Sequence, residues 1–188
     1  RGGINTLMQC DLAPEMVAKA EAKNSFRLAA DEEALPFANE VFDLIISNLT
    51  LHWINDLPGM LIQARQALKP DGLFMASILG GETLKELRTS LAEAEISEEK
   101  GLSPRISPMA GIQDLAQLLQ RTGFALPVVD TETITVMYTD IITLMTDLRN
   151  MGESNAVIES RKSLMKRSTM EKAVLIYKKN FIGDNGKF

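Results

Sequence analysis

The sequence is poor in the residues on which several kinds of protein depend. It holds one cysteine, Cys10, so no disulfide framework can form within the chain. That suits a reducing compartment. It holds one histidine, His52, which excludes two arrangements within a single chain: a zinc site built from several Cys and His ligands, and the two-histidine, one-carboxylate iron triad. No Asp/Glu loop has the spacing of a calcium site. Basic residues are outnumbered, 20 Lys and Arg against 25 Asp and Glu, and form no stripe, so nucleic acid is not an expected partner. No apolar run is long enough to span a membrane as a helix. The sequence opens on Arg1 rather than Met and shows no signal peptide.

What is present suits one domain with room for a small appended subdomain. Its 188 residues are 45% hydrophobic, with a net charge of −5. "INTLMQCD" (Ile4–Asp11) is a short apolar run ending on an acid, and it predicts a strand. "LAPEMVAKAEAK" follows at helical spacing, with Pro14 near its start. "SFRLAAD" predicts a second strand, ending at Asp31. "VFDLIISNL" predicts a third, apolar on both faces, as expected of a central strand between two helix layers. A helix is expected near Leu57–Leu68 with Asp56 as N-cap, then a turn at "KPDG" and a fourth strand, "LFMASIL". Leu84, Leu87, Leu91 and Ala94 mark a further helix.

The alternation of strand and helix predicts a parallel sheet with helices on both faces. Beyond it, "GIQDLAQLLQRTGF" predicts a helix ended by Gly123. "VVDTETITVMY" alternates and predicts a strand. Helices are expected over Thr139–Met151 and Ile158–Phe181, with "MGESN" as a loop between them.

Ligands of open α/β sheets bind outside the carboxyl ends of the strands. Three predicted strand ends carry Asp11, Asp31 and Asn48. An acid there can accept hydrogen bonds from the vicinal hydroxyls of a ribose, an acid on the next strand can accept from an adenine amine, and Leu12 can lie against the base. Each residue also has a plain structural reading: the acids as helix N-caps, Asn48 as a turn residue. On successive strand ends, the ligand reading is favoured. Four residues are candidates for a substrate side. His52 beside Trp53 is either a packed boundary residue or a base. Glu82, with Thr83, either reaches substrate or caps the next helix. Glu153 and Asn155 lie in the polar "MGESN" loop.

The segments "CDLAPEMVAKA", "AADEEALPFANEVFDLIISNLTLHW" and "LKPDGLF" resemble the class I, Rossmann-like S-adenosylmethionine-dependent methyltransferases, over about Asp11 to Gly186. Two related groups are most alike: the malonyl-acyl-carrier-protein methyltransferases of biotin synthesis and the methyltransferase-like assembly factors of mitochondrial complex I. "DEEALPF", "TLHWINDLP", "GGETLKELR", "SPRISP" and "MGESN" favour the mitochondrial group.

The resemblance implies an α/β fold spanning residues 1–188 as one domain, with 82–181 including helical substrate-side insertions and a cap. It implies S-adenosylmethionine as cofactor. Asp11 would hold the ribose hydroxyls, Leu12 would sit beside the adenine, and Asp31 would meet the adenine amine, with Glu32 next to it. Asn48 would lie near the methionine part, leaving Leu49 to His52 on the substrate side. It further implies arginine hydroxylation of an iron–sulfur subunit of complex I, in the mitochondrial matrix or at the matrix face of the inner membrane.

The sequence departs from the family in one motif. The opening strand with its acid-x-Gly-x-Gly-x-Gly loop, which lets backbone approach the cofactor, is absent, and a closing strand is absent too. The expectation is a sheet lacking its first and last strands, with a gap between the strands that end at Asp11 and Asn48. S-adenosylmethionine binding by this chain is expected to be weak or nil. Two alternatives stay open. One is O-methylation of a carrier-protein thioester, with Arg161, Lys162, Lys166 and Arg167 as a docking cluster or a solvated helix face. The other is a non-catalytic assembly scaffold, which the missing glycine loop favours.

Overall fold

A computed structural model describes residues 3–20, 25–103, 105–106, 109–153 and 165–181. In chain order the elements are β1 (Leu7–Asp11), α1 (Pro14–Lys19), β2 (Ser25–Ala29), β3 (Phe42–Asn48), a 3-10 turn (Leu51–Trp53), α2 (Leu57–Ala67) and β4 (Leu68–Ser77). Four helices follow: α3 (Lys85–Glu99), α4 (Ile112–Arg121), α5 (Ile141–Asn150) and α6 (Arg167–Phe181). They divide into two compact units. Unit 1 is Arg1–Ile78 with Leu115–Val128; unit 2 is Leu79–Asp114 with Val129–Phe188.

Unit 1 carries the strand–helix alternation. β1 pairs with β2 in parallel, Leu7 opposite Ser25 through Asp11 opposite Ala29. β3 pairs with β4 in parallel, Leu44 opposite Leu73 through Asn48 opposite Ser77. The parallel pairing is as expected, and the gap expected between the strands ending at Asp11 and Asn48 leaves two bonded pairs rather than one continuous sheet. Each pair bonds along one edge, and among the described residues no strand joins β1 to β3. "SFRLAAD" is strand only as far as Ala29, so Asp31 stands in the following turn.

The expected "KPDG" turn lies inside β4 as a bulge. Pairing passes from Phe42–Leu68 directly to Leu44–Leu73, so Lys69 to Gly72 have no opposite residues. Asp71 takes a left-handed φ of 63°. A Cβ at Gly72 would lie 2.9 Å from the Lys69 carbonyl and 3.2 Å from that of Phe42, which is why glycine stands there. Lys69 Nζ closes the bulge on Asp43, at 2.9 Å.

The core of this unit sets Leu51, Met60, Leu61 and Ala64 against Ile45, Phe74, Leu118, Leu119 and Phe124. α2 begins as expected on Asp56, whose Oδ1 accepts the Gly59 amide at 3.0 Å. Gly123, at φ 86°, ends the segment of α4. The expectation that β3 is covered on both faces is corrected. The face bearing Ile45 and Phe74 is packed, whereas Leu44, Ile46, Leu73 and Met75 are 43%, 64%, 55% and 51% exposed.

Unit 2 is helical. Its core unites Leu87, Leu91 and Ala94 of α3, Ile141 and Leu144 of α5, and Ala173 and Tyr177 of α6. Buried Thr169 donates to Glu99 Oε1 at 2.8 Å, fixing α6 against α3. Asp140 caps α5 through the Thr143 amide, at 2.8 Å. The alternating stretch 128–138 is not a strand. Val128, Ile134, Val136 and Met137 stay exposed, because alternation makes a strand only where a neighbour accepts its backbone bonds. The helix expected from Ile158 is described from Arg167 onward.

Candidate functional site

The predicted site residues of unit 1 stand at strand ends and in the loops that follow. Asp11 is the last residue of β1. Its Oδ1 accepts the Ala13 amide at 2.8 Å, and no described residue bonds Oδ2. Asp11 is not the cap of α1; that position is Ala13, which makes no side-chain cap bond. The two-residue turn therefore holds the carboxylate in place while one oxygen remains for a ligand. Leu12, next in the chain, is 62% exposed, an apolar surface beside an acid.

Asp31 repeats this arrangement after β2. Its Oδ1 accepts the Glu33 amide at 2.8 Å, and no helix follows for it to cap. The loop is braced from elsewhere in the unit. Glu33 Oε1 accepts the Asn55 amide at 2.7 Å. Gln63 of α2 donates to the Glu33 carbonyl at 2.8 Å and accepts the Leu35 amide at 2.9 Å. Asp31 and Glu32 thus sit on a loop tied to the segments that follow β3. Cys10 reports where the acids are. Its thiol is pushed above its usual value by burial first, then by the charges of Glu32 and Asp11. Those two carboxylates flank the end of β1.

Asn48 is the last residue of β3. Its Oδ1 accepts the Ser77 hydroxyl at 2.6 Å across the strand pair. Leu49 follows at φ 53°, a left-handed conformation costly for a leucine. Its amide is held by the Ser77 carbonyl at 3.0 Å and the Ser77 hydroxyl at 3.1 Å. His52 lies half-buried in the 3-10 turn, its ring 5.4 Å from that of Trp53.

Glu82 and Glu153 belong to unit 2. Glu82 pairs with Lys85 at 3.0 Å on the surface, and its hydrogen bond and charge raise the Lys85 ammonium above its ordinary value. The capping role considered for Glu82 and Thr83 does not hold: Leu84 occupies the N-cap of α3 with no side-chain bond. Instead Arg88 ties the turn, donating to the Thr83 carbonyl at 2.8 Å and that of Gly81 at 3.2 Å. Glu153 follows the turn after α5, its amide bonded to the Leu148 carbonyl at 2.9 Å. Asn155, Arg161 and Lys162 lie outside the described residues; Arg167 pairs with Glu171 on the surface at 2.8 Å.

Sequence reasoning missed Ser77, Glu33 and Gln63, which position the candidates. Their partners lie 22 to 30 residues away. The signal available was a hydroxyl near the end of a predicted strand and a glutamine among the apolar positions of α2. It also missed a buried cluster in unit 2. Glu95, 2% exposed, accepts from the Ser103 amide at 2.7 Å, from the Ser103 hydroxyl and from Arg105 at 2.8 Å. Burial opposes its ionisation, but these Ser103 and Arg105 contacts together hold the carboxyl below its usual value.

The donor and acceptor set fits the adenosine part of S-adenosylmethionine: two anchored carboxylates, each with one oxygen unbonded among the described residues, and an exposed leucine beside the first. A methyltransferase domain family matches residues 1–76. The chain is similar to the arginine-hydroxylase NDUFAF5, mitochondrial, of Danio rerio, 48% identical over 84% of this chain and 49% of that protein. It is also similar to the malonyl-[acyl-carrier protein] O-methyltransferase of Gallionella capsiferriformans, 35% identical over 81% of this chain and 50% of that one. The chain spans about half the length of the curated relatives it matches. Among solved structures, the S-adenosylmethionine dependent methyltransferase of Mesorhizobium loti shares the fold, with a TM-score of 0.53 at 20% identity over 80% of this chain and 75% of that one. Residues 1–76 thus match a methyltransferase domain, and the chain shares the Rossmann-like fold of class I methyltransferases.

Proposed function

We propose that the protein is an S-adenosylmethionine-binding, methyltransferase-like factor of the mitochondrion that serves assembly of respiratory complex I through hydroxylation of an arginine on an iron–sulfur subunit. The observation that carries this reading is the 48% identity, over most of the chain, to a protein named as a mitochondrial arginine-hydroxylase. The strand-end geometry supports the cofactor part. Asp11 would receive the ribose hydroxyls through its unbonded oxygen, Leu12 would cover the adenine, and Asp31 with Glu32 would accept from the adenine amine. When bound, the cofactor brings a sulfonium centre, and the chain's own acids offer it a favourable field. The matrix, or the matrix face of the inner membrane, is the proposed site of action.

The test is made in cells depleted of the protein and supplied with the parent chain or with Asp11→Ala. Mass spectrometry then reads arginine hydroxylation, a gain of one oxygen, on the complex I iron–sulfur subunits. The reading expects the mark to return with the parent and not with Asp11→Ala. A mark equal in both would reject it. A gain of a methyl group on a carrier-protein thioester would instead favour the malonyl-ester reading, which rests on the 35% identical relative.

A further inference from the structure

The stretch 129–137, "VDTETITVM", has the makings of a strand and no strand to join. Its valines, isoleucine and threonines favour extended backbone. The chain crosses it without a turn or bend, and residues 130–137 are all exposed. Among the described residues, no backbone amide or carbonyl of this stretch bonds to another; the Thr131 amide turns to the side chain of its neighbour Asp130, at 2.8 Å. Both faces of the alternation are open: Ile134 and Val136 are 79% and 59% exposed on one, Met137 is 51% exposed on the other. Such a row of unmet donors and acceptors receives a further strand along its edge.

Charge and register say which strand fits. Laid antiparallel on a second copy of itself about Thr133, the stretch sets Asp130 opposite Val136, Glu132 opposite Ile134, Thr131 opposite Thr135 and Val129 opposite Met137. No like charges meet, and threonine faces threonine, a favourable cross-strand pair. Other alignments bring acids together, and like charges directly opposite are destabilising. Parallel and in register, Asp130 and Glu132 would each face their own copies. Centred on Glu132 the two glutamates would meet, and centred on Thr131 Asp130 would meet Glu132. We propose that residues 129–137 are an interface between two copies of this chain, paired as an antiparallel two-stranded ribbon about Thr133. The same segment serves both sides, so the contact is isologous and closes at two copies. The second copy supplies the neighbour that the alternating pattern calls for.

The test is sedimentation velocity of the 188-residue chain over a range of concentrations, with circular dichroism confirming that each variant is folded. The expected result is a monomer–dimer equilibrium. Ile134→Glu sets a glutamate opposite Glu132, twice over across the two-fold axis, and should weaken the dimer about fivefold or more. Ile134→Lys sets a lysine there instead and should hold the dimer within about twofold of the parent. Ile134→Pro, which removes a donor from the ladder, should abolish it. In a Cys10→Ser background, Thr133→Cys should cross-link under diamide, because directly opposite residues bring their Cα atoms to about 4.5–5.5 Å, within reach of a disulfide. Equal weakening by Ile134→Lys and Ile134→Glu would mean general apolar adhesion and overturns the proposal. So does a dimer that survives Ile134→Pro and is lost in Ile46→Lys, on the exposed face of β3, which moves the interface there. A chain that is monomeric at every concentration overturns it too. A longer form of the protein that stays monomeric while the amides of 129–137 resist hydrogen exchange has covered the stretch with a strand of its own, which overturns pairing between copies.

Discussion

Asp11 in unit 1 and Glu95 in unit 2 are both carboxylates joined to regular structure, and they differ in how far the protein answers them. Glu95 is 2% exposed and accepts hydrogen bonds from described residues, two from Ser103 and two from Arg105. Asp11 accepts one, from the Ala13 amide. A buried charge is tolerated only when its lone pairs are filled, so Glu95 is committed to holding Ser103 and Arg105 against α3. Asp11 is fixed by that one bond at a strand end, and its other oxygen meets no partner among the described residues. The contrast separates acids that make the fold from acids held ready by it.

The contrast breaks most visibly at Glu95. Glu95→Ala leaves Arg105 without its carboxylate, and the cost in stability is expected to be about 3 kcal/mol, measured by urea unfolding. A loss below about 1 kcal/mol would mean the cluster is solvated in practice. The same group sets a pH dependence. Its folded-state pKa is depressed, so its stabilisation is fully present above the unfolded value, near 4.3, and is lost as pH falls through the folded value. Glu95→Gln should therefore flatten the fall of stability below about pH 4.5. Asp140 titrates with the same sign, because the Thr143 amide and hydroxyl stabilise its charged form.

Asp11→Ala is the complementary change. It should cost only about 1 kcal/mol of stability, for the Ala13 bond, yet remove about 1.5–3 kcal/mol from S-adenosylmethionine affinity for each ribose hydrogen bond lost. Asp11→Asn, which keeps an acceptor oxygen, should be milder in both. If Asp11→Ala lowers stability as much as Glu95→Ala does, the distinction between the two kinds of acid fails. Asp56 is the intermediate case, an exposed acid with a structural task. Asp56→Ala should cost about 1 kcal/mol through the lost cap of α2, with no effect on ligand, as chemical unfolding and calorimetry together can show. Smallest of all is Arg167→Ala, which removes a surface i,i+4 pair with Glu171 and should stay within about 0.5 kcal/mol by unfolding.

The parts of this comparison were unequally visible in the sequence. Asp11 and Asn48 were legible because a strand end is marked locally, by an apolar run stopping on a polar residue. The helices around Leu61, Leu91, Leu144 and Tyr177 were legible for the same reason, through their periodicity. Glu95 was not. It sits among charged residues in "AEAEISEEK", and what buries it is a contact to Ser103 and Arg105 beyond the helix end. Ser77 and Gln63 act across strand and loop pairings that no local pattern announces. The alternating run 128–138 shows the reverse failure. Its pattern states which side chains share a face but not whether a neighbour strand exists. The division of four parallel strands into two pairs matches the gap expected between the strands that end at Asp11 and Asn48.

The most direct test of the central proposal, that anchored carboxylates at the end of β1 and in the turn after β2 hold S-adenosylmethionine, is equilibrium dialysis of labelled S-adenosylmethionine against the 188-residue chain and its Asp11→Ala variant, with circular dichroism confirming that both are folded. The account predicts weak, saturable retention by the parent that disappears in Asp11→Ala. Equal retention by the two folded chains would contradict it.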